Sequence, residues 1–182
     1  LPCENVTGEK IALFTDTVQE INGVALTINK LIETATTRGI DLTVITCSSG
    51  ETSYKNRIHT FKSAGNFALP EYPEIKLHLP PILEIIDFIE REGFTRIHVS
   101  TPGTLGLLAI LIAKLMDIPI SSTYHTDFPQ YVMSLTNDVF LEDISWKYII
   151  WFYNQTDEVL VPSQSTQNPI IEKGLSPETV NP

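Results

Sequence analysis

Residues 96–124 read RIHVSTPGTLGLLAILIAKLMDIPISSTY. A short β-rich run, Arg96 to Ser100, leads into a turn rich in hydroxyls and glycine. An apolar run from Leu105 to Met116 follows, too long for an ordinary strand and long enough for three helical turns. A second β-rich run, Ile120 to Tyr124, closes the stretch. Strand, helix and strand in this span make a βαβ unit, the crossover that lets two strands lie parallel.

The same alternation extends both ways along the chain. Upstream, KIALFT (Lys10 to Thr15) is a short apolar strand. Gly23 to Arg38 follows as a helix, with Val24, Ile28, Leu31, Ile32 and Ala35 on one face. Gly39 stands where a helix C-terminal glycine belongs. Leu42 to Thr46 is a strand, and Pro81 to Gly93 a helix bounded by proline and glycine. Downstream, Asp138 to Asn154 reads as an aromatic-rich helix and Glu158 to Val161 as a strand. Ser163 to Lys173 reads as a last helix with Pro169 inside it. Residues 48–80 are polar and read as irregular loop, with short strands around Arg57 to Phe61 and Ile75 to Leu79. The fold class expected is α/β: a Rossmann-like, doubly wound, mostly parallel sheet over residues 10–175, preceded by a leader or linker at 1–9.

The 182 residues fit one domain. Twelve Lys and Arg against 22 Asp and Glu give a net charge of −10, which excludes nucleic acid as a partner on electrostatic grounds. A nucleotide bound by such a chain would have its phosphates met by backbone N–H groups or by cations from elsewhere. No apolar run reaches membrane-spanning length, since Gly106 and Lys114 interrupt the densest one. The polar start, Leu1 to Lys10, is not a secretion signal. Cys3 and Cys47 lack metal-ligand spacing and read as reduced thiols of a cytoplasmic protein. A start at Leu1 suggests a piece of a longer chain.

In a sheet of this kind ligands bind beyond the carboxyl ends of the strands, so the informative residues follow strands: Asp16 to Gly23, Cys47 onward, Thr101 to Gly106, His125 to Gln130 and Pro162 to Thr166. Three of these turns carry chemistry. In the first, Thr15 to Val24, Asp16 follows the strand and Asn22-Gly23 opens the helix. That pair is either an ordinary N-cap, the preferred reading, or a seat for a phosphate or sugar oxygen. In the second, Ser100 to Gly106, Ser100 or Thr101 caps the helix while Gly106 packs on the sheet, or Gly103 admits a ligand; again the cap is preferred. In the third, Thr123 to Tyr131, His125 precedes Asp127. Such a histidine can hydrogen-bond a sugar hydroxyl, contact a phosphate or act as a base, or simply be satisfied by carbonyls. His59, His78 and His98 read as structural. Lys55, Arg57, His59 and Lys62 form a basic cluster, read as a solvated loop in preference to a seat for an anionic acceptor or a lipid surface. Nucleophile elbow, P-loop and metal-binding cysteine pairs are all absent from the sequence.

Three segments taken in order carry a resemblance. IALFTDTVQEINGVALTINKL (11–31), STPGTLGLLAILIAKLMDIPISSTYHTDFPQY (100–131) and DEVLVPSQSTQNPIIEKGL (157–175) resemble the N-terminal domain of the family-4 retaining glycosyltransferases of GT-B architecture. The flavour is that of mannosyltransferases and of glycolipid-making glucosyl- or sulfoquinovosyltransferases. The resemblance implies that 176–182 begins an interdomain linker and that the C-terminal nucleotide-sugar-binding domain is absent. The full enzyme would move a hexosyl group from a nucleotide-sugar to a lipid or saccharide acceptor, with retention and without metal or other cofactor. This fragment alone would be inactive. Peripheral contact with the inner membrane face fits the lipid acceptors.

By the same resemblance His125 contacts the donor sugar near the reacting centre. Asn22 and Gly23 lie in the loop facing the cleft, near donor phosphate and acceptor, with Asp16 a further donor- or acceptor-binding candidate, and Asp127 shapes the acceptor side. Ser100, Thr101 and Gly103 line the cleft, and Ser163 and Ser165 sit near the interdomain crevice. Two other readings stay open: a stand-alone Rossmann-like ligand-binding or interaction module, and a nucleotide-sugar epimerase of the same broad architecture.

Overall fold

The computed structural model of the chain describes residues 8–18, 23–69, 72–125 and 128–181. Eight strands form one sheet: β1 (Lys10–Phe14), β2 (Asp41–Ser48), β3 (Ser53–Lys55), β4 (Ile58–Lys62), β7 (Arg96–Val99), β8 (Ile120–Thr123), β9 (Glu158–Leu160) and β10 (Val180–Asn181). Their order is β10-β9-β8-β7-β1-β2-β4-β3, parallel throughout except where β3 pairs β4. The remaining strands, β5 (Gly65–Leu69) and β6 (Tyr72–Leu79), form a separate antiparallel hairpin. The helices are α1 (Gly23–Arg38), α2 (Ile82–Glu92), α3 (Thr104–Met116), α4 (Phe128–Thr136), α5 (Val139–Tyr153) and α6 (Gln164–Glu172).

Strand alternation divides the core. Leu13, Leu42 and Val44 point to one face, where Ile28 and Ala35 of α1 cover them. Ala12, Phe14, Ile45, Ile97 and Ile120 point to the other. There they meet Ile85 and Ile89 of α2, Leu105 and Ile112 of α3, Ile149 and Phe152 of α5, and Ile170 of α6. Phe14, Ile45, Ile97 and Phe152 are fully buried; each such side chain contributes roughly 1.5–3 kcal/mol of transfer free energy. Helices on both faces of a parallel sheet make the doubly wound α/β fold that the sequence suggested. From β1 the chain steps outward to β2 and β4, then returns through α2 to β7 on the far side of β1. The β1/β7 junction is therefore the topological switch point.

Several expectations need correcting. Residues 128–136 form helix α4, whose first residues the sequence reading placed in the Thr123 to Tyr131 turn: Pro129 occupies its first turn, where a missing N–H costs nothing. Within 48–80 the two short strands expected are present as β4 and β6, and two more that were read as loop, β3 and β5, join them, with Asn56 and Arg57 at positive φ in the turn between β3 and β4. The basic cluster divides: Lys55 and Lys62 stay exposed, as a solvated face, while Arg57 and His59 are built into the fold. Arg57 donates to the carbonyls of Ile40 and Leu42, and Lys62 pairs with Glu51. His59 stacks on Phe61 and packs against Phe88, in the structural role expected of it. At the end of the described residues, Val180–Asn181 form β10, with Val180 buried beside Val159.

Candidate functional site

Two groups of residues lie at the carboxyl ends of the strands. The first occupies the switch point. The Asp16 N–H donates to Thr101 Oγ1 (2.8 Å), and the Thr101 hydroxyl donates back to Asp16 Oδ2 (2.8 Å). Asp16 Oδ1 accepts the Leu105 N–H (3.1 Å). The Thr104 hydroxyl lies 3.1 Å from Oδ1 and 2.7 Å from the His78 carbonyl, so its one proton serves one acceptor at a time.

Asp16 therefore caps α3 from a different strand, its charge set against the helix N-terminus. This replaces the expected cap by Ser100 or Thr101: the N-cap position is Gly103, whose backbone is extended and which has no side chain to offer. A Cβ at Gly103 would overlap the Asp16 carboxylate, so that glycine makes room for Asp16 and not for a ligand. At Gly106 a Cβ would overlap the Thr101 carbonyl and press on Phe152, which is the packing role anticipated for it. The α3 N-terminus, a ready-made anion seat, is already filled.

Neighbouring groups respond to the same carboxylate. Burial, reinforced by the Asp16 charge, pushes the Cys47 thiol up to about 12 and the Tyr148 phenol up to about 12. Cys47 stays a thiol, and Tyr148 donates to the Pro102 carbonyl at 2.7 Å, tying α5 to this turn.

The second group surrounds a cleft of about 460 Å³ beyond β8 and β9, lined by Tyr124, His125, Gln130, Trp146, Pro162, Ser165, Thr166, Pro169, Ile170 and Lys173. His125 leaves the end of β8, and its Nε2 lies 3.0 Å from the Ser100 hydroxyl at the end of β7. Burial holds His125 below the usual histidine range, so the neutral ring prevails near pH 7. Beneath it, His98 is gripped at both ring nitrogens by Ser121 and Thr123, each at 2.9 Å. Desolvation, with smaller contributions from His125 and Arg96, pushes His98 down to about 4. That is the structural role expected of it.

Ser165 lines the cleft, while Ser163 bonds to Ser165 (2.7 Å) and Thr166 (3.1 Å) at the start of α6. Gly23 begins α1, exposed, with open space around it. Asn22 and Asp127 lie outside the described residues. The site expectations therefore split. His125, Ser100, Ser163 and Ser165 come together, and Asp16, Thr101 and Gly103 form a scaffold beside them. Sequence reading missed Trp146 and Lys173, while Thr166 falls in the post-strand stretch Pro162 to Thr166 that it singled out. Thr166, Pro169, Ile170 and Lys173 sit at i, i+3, i+4 and i+7, a helical stripe that marks one face of α6. Lys173 lies over the Trp146 ring, 5.0 Å from its centroid, and brings one cation to an otherwise uncharged wall.

Comparison with known proteins decides the family. The profile of Glycosyltransferase Family 4 matches residues 21–181. The chain belongs to Glycosyltransferase Family 4. Among curated relatives, this family-4 domain is 29% identical over 171 residues to the sulfoquinovosyl transferase SQD2 of Arabidopsis thaliana, covering 92% of the chain and 33% of the relative. It is 27% identical over 159 residues to the alpha-monoglucosyldiacylglycerol synthase of Streptococcus pneumoniae, covering 85% and 35%. The chain thus spans about a third of the length of these relatives. Among solved structures, sucrose-phosphate synthase from Thermosynechococcus elongatus superposes with a TM-score of 0.60 at 13% identity, over 95% of this chain and 47% of that one. The UDP-GlcNAc 2-epimerase from Methanocaldococcus jannaschii gives 0.56 at 11% identity, over 94% and 44%. At such identities these two likenesses speak for the fold alone.

Proposed function

We propose that this family-4 domain forms the acceptor-side wall of the cleft of a two-domain enzyme that moves a hexosyl group from a nucleotide-sugar to a lipid acceptor, with retention. The observation that carries the reading is the placement of His125. It is a neutral, half-buried histidine at the end of a parallel strand, lining a cleft whose wall also holds Ser165, Thr166 and Lys173. Hydroxyls and an imidazole suit sugar oxygens. A single lysine on a chain of net charge −10 is too little for a diphosphate, so the remaining cations would come from a second domain. Stabilising the departing diphosphate there would supply most of the rate, and His125 would hold the donor sugar. No step calls for a metal.

A lipid acceptor is supported by two facts. Both curated relatives are named for glycolipid synthesis or sulfoquinovosyl transfer. Next to the cleft, α4 and α5 expose a run of large apolar side chains, among them Phe128, Tyr131, Leu135, Phe140 and Ile144. Such a patch rims a lipid-facing surface more naturally than an aqueous one, and peripheral membrane contact follows. Among the described residues no helix is long and apolar enough to cross a membrane.

The test is a screen of the full-length protein against nucleotide-sugars with diacylglycerol or glycolipid acceptors, with the anomeric configuration of the product read by NMR. Transfer with the donor's configuration kept supports the reading. Inversion, or absence of transfer to any lipid or saccharide, contradicts it.

A further inference from the structure

The Ser100–His125 contact says more than that two polar groups meet. Ser100 is 3% exposed. Its backbone N–H is committed to the Phe14 carbonyl at 2.9 Å. Among the described residues, its hydroxyl has a single hydrogen-bond partner, His125 Nε2 at 3.0 Å. A serine hydroxyl carries one proton, and a neutral imidazole carries one proton on one of two nitrogens. If Nε2 held the ring proton, Ser100 Oγ would accept it, and the hydroxyl's own proton would be buried without an acceptor, a costly arrangement. If Ser100 donates into Nε2 instead, both groups are satisfied and the ring proton resides on Nδ1. His98 does not compete for the serine proton, since Ser121 and Thr123 already occupy both its nitrogens. Nδ1 of His125 has no partner among the described residues, is not one of their enclosed unsatisfied atoms, and belongs to a ring that lines the cleft.

We infer that Ser100 is a positioning residue that fixes His125 as its Nδ1–H tautomer, so that the ring edge left open to the cleft is a hydrogen-bond donor and not a base. The consequence rests on the proposed function: a donor at Nδ1 holds an oxygen of the sugar or of its phosphate, and does not deprotonate the acceptor. Ser100 then acts through His125 without touching substrate, in place of the ligand-binding role that the family resemblance suggested.

The experiment uses the full chain labelled with nitrogen-15 histidine. Long-range proton–nitrogen spectra near pH 7, assigned with His125→Ala, report which ring nitrogen of His125 is protonated. The wild type is expected to show a proton on Nδ1 and a bare Nε2. In Ser100→Ala the ring relaxes toward the Nε2–H form, and kcat falls about tenfold with the acceptor KM little changed. Ser100→Thr keeps the hydroxyl and the Nδ1–H signature. A wild-type proton on Nε2, or an unchanged tautomer in Ser100→Ala, overturns the inference, and the wild-type spectrum decides even if a variant fails to fold. Failure of the two claims looks different. An Nδ1–H tautomer in a protein that transfers no sugar leaves the inference standing and removes the functional reading. Sugar transfer by a protein with Nε2–H does the reverse.

Discussion

Replacing Asp16 by Ala should destabilise the domain by an amount the switch-point geometry sets. The carboxylate caps α3 through the Leu105 N–H and takes the hydroxyl proton of Thr101. A helix N-cap side chain is worth about 0.5–2 kcal/mol, and one further hydrogen bond to a charged group about 1.5 kcal/mol. Partial exposure of the site trims the sum to about 2–3 kcal/mol. For a domain of this size each kcal/mol moves the thermal midpoint by about 2–4 °C, so Asp16→Ala should melt about 4–12 °C below the wild type. Circular dichroism melts of the two proteins measure this. Gly103→Ala should cost a similar amount, because its Cβ meets the same carboxylate. The double variant should lose clearly less than the sum, since removing the carboxylate clears the space for the methyl group. A midpoint for Asp16→Ala within about 1 °C of wild type would refute the capping role, and would return Asp16 to the cleft as a ligand-facing residue.

Other outcomes follow from the same structure. His98 is pushed from 6.5 down to about 4 by burial, so the unfolded chain binds its proton more readily than the folded one. The folded state is therefore unpenalised above about pH 6.5 and loses stability as pH falls toward about 4, by no more than about 3 kcal/mol. Denaturant titrations of wild type and His98→Gln should show a shallower pH slope in the variant; equal slopes would clear His98. Calorimetry should find nucleotide-sugar binding to this 182-residue chain weaker than micromolar, because the described cleft offers Lys173 as its one cation; micromolar affinity would contradict the division of labour proposed. Phe128→Ser with Phe140→Ser should lower co-sedimentation of the full protein with acceptor-containing vesicles while leaving its melting point nearly unchanged. Undiminished co-sedimentation would take α4 and α5 out of membrane contact.

The parts of the molecule that were legible in the sequence share a physical property: each is written in local periodicity. The 16 residues of α1 come out at their observed bounds, because Val24, Ile28, Ile32 and Ala35 repeat at helical spacing and Gly39 closes the helix at positive φ. The strands of the parallel sheet are short runs rich in β-formers, and their alternation with helices dictates the winding. Helix α4 was hidden because Phe128-Pro129 reads as a break when its position in the first turn is unknown. Strand β10 has two residues and no period to read. Asp16 was recognised as following a strand, but its partners lie 85 to 89 residues away. No local rule connects a carboxylate after β1 with an uncapped helix after β7. The hydroxyl-rich turn around Gly103 held the clue, a helix start whose own N-cap residue has no side chain. Lys173 was visible as one end of the α6 stripe, yet only the fold shows that the stripe faces His125.

The central claim is that His125 holds the donor sugar in a glycosyl-transfer cleft. It is tested most directly by steady-state turnover of the full-length protein and its His125→Ala variant on the same nucleotide-sugar and lipid acceptor. The account predicts that kcat/KM falls by about tenfold or more, the scale of a lost transition-state contact, with the melting point of the variant little changed. Near-native turnover by His125→Ala would contradict it.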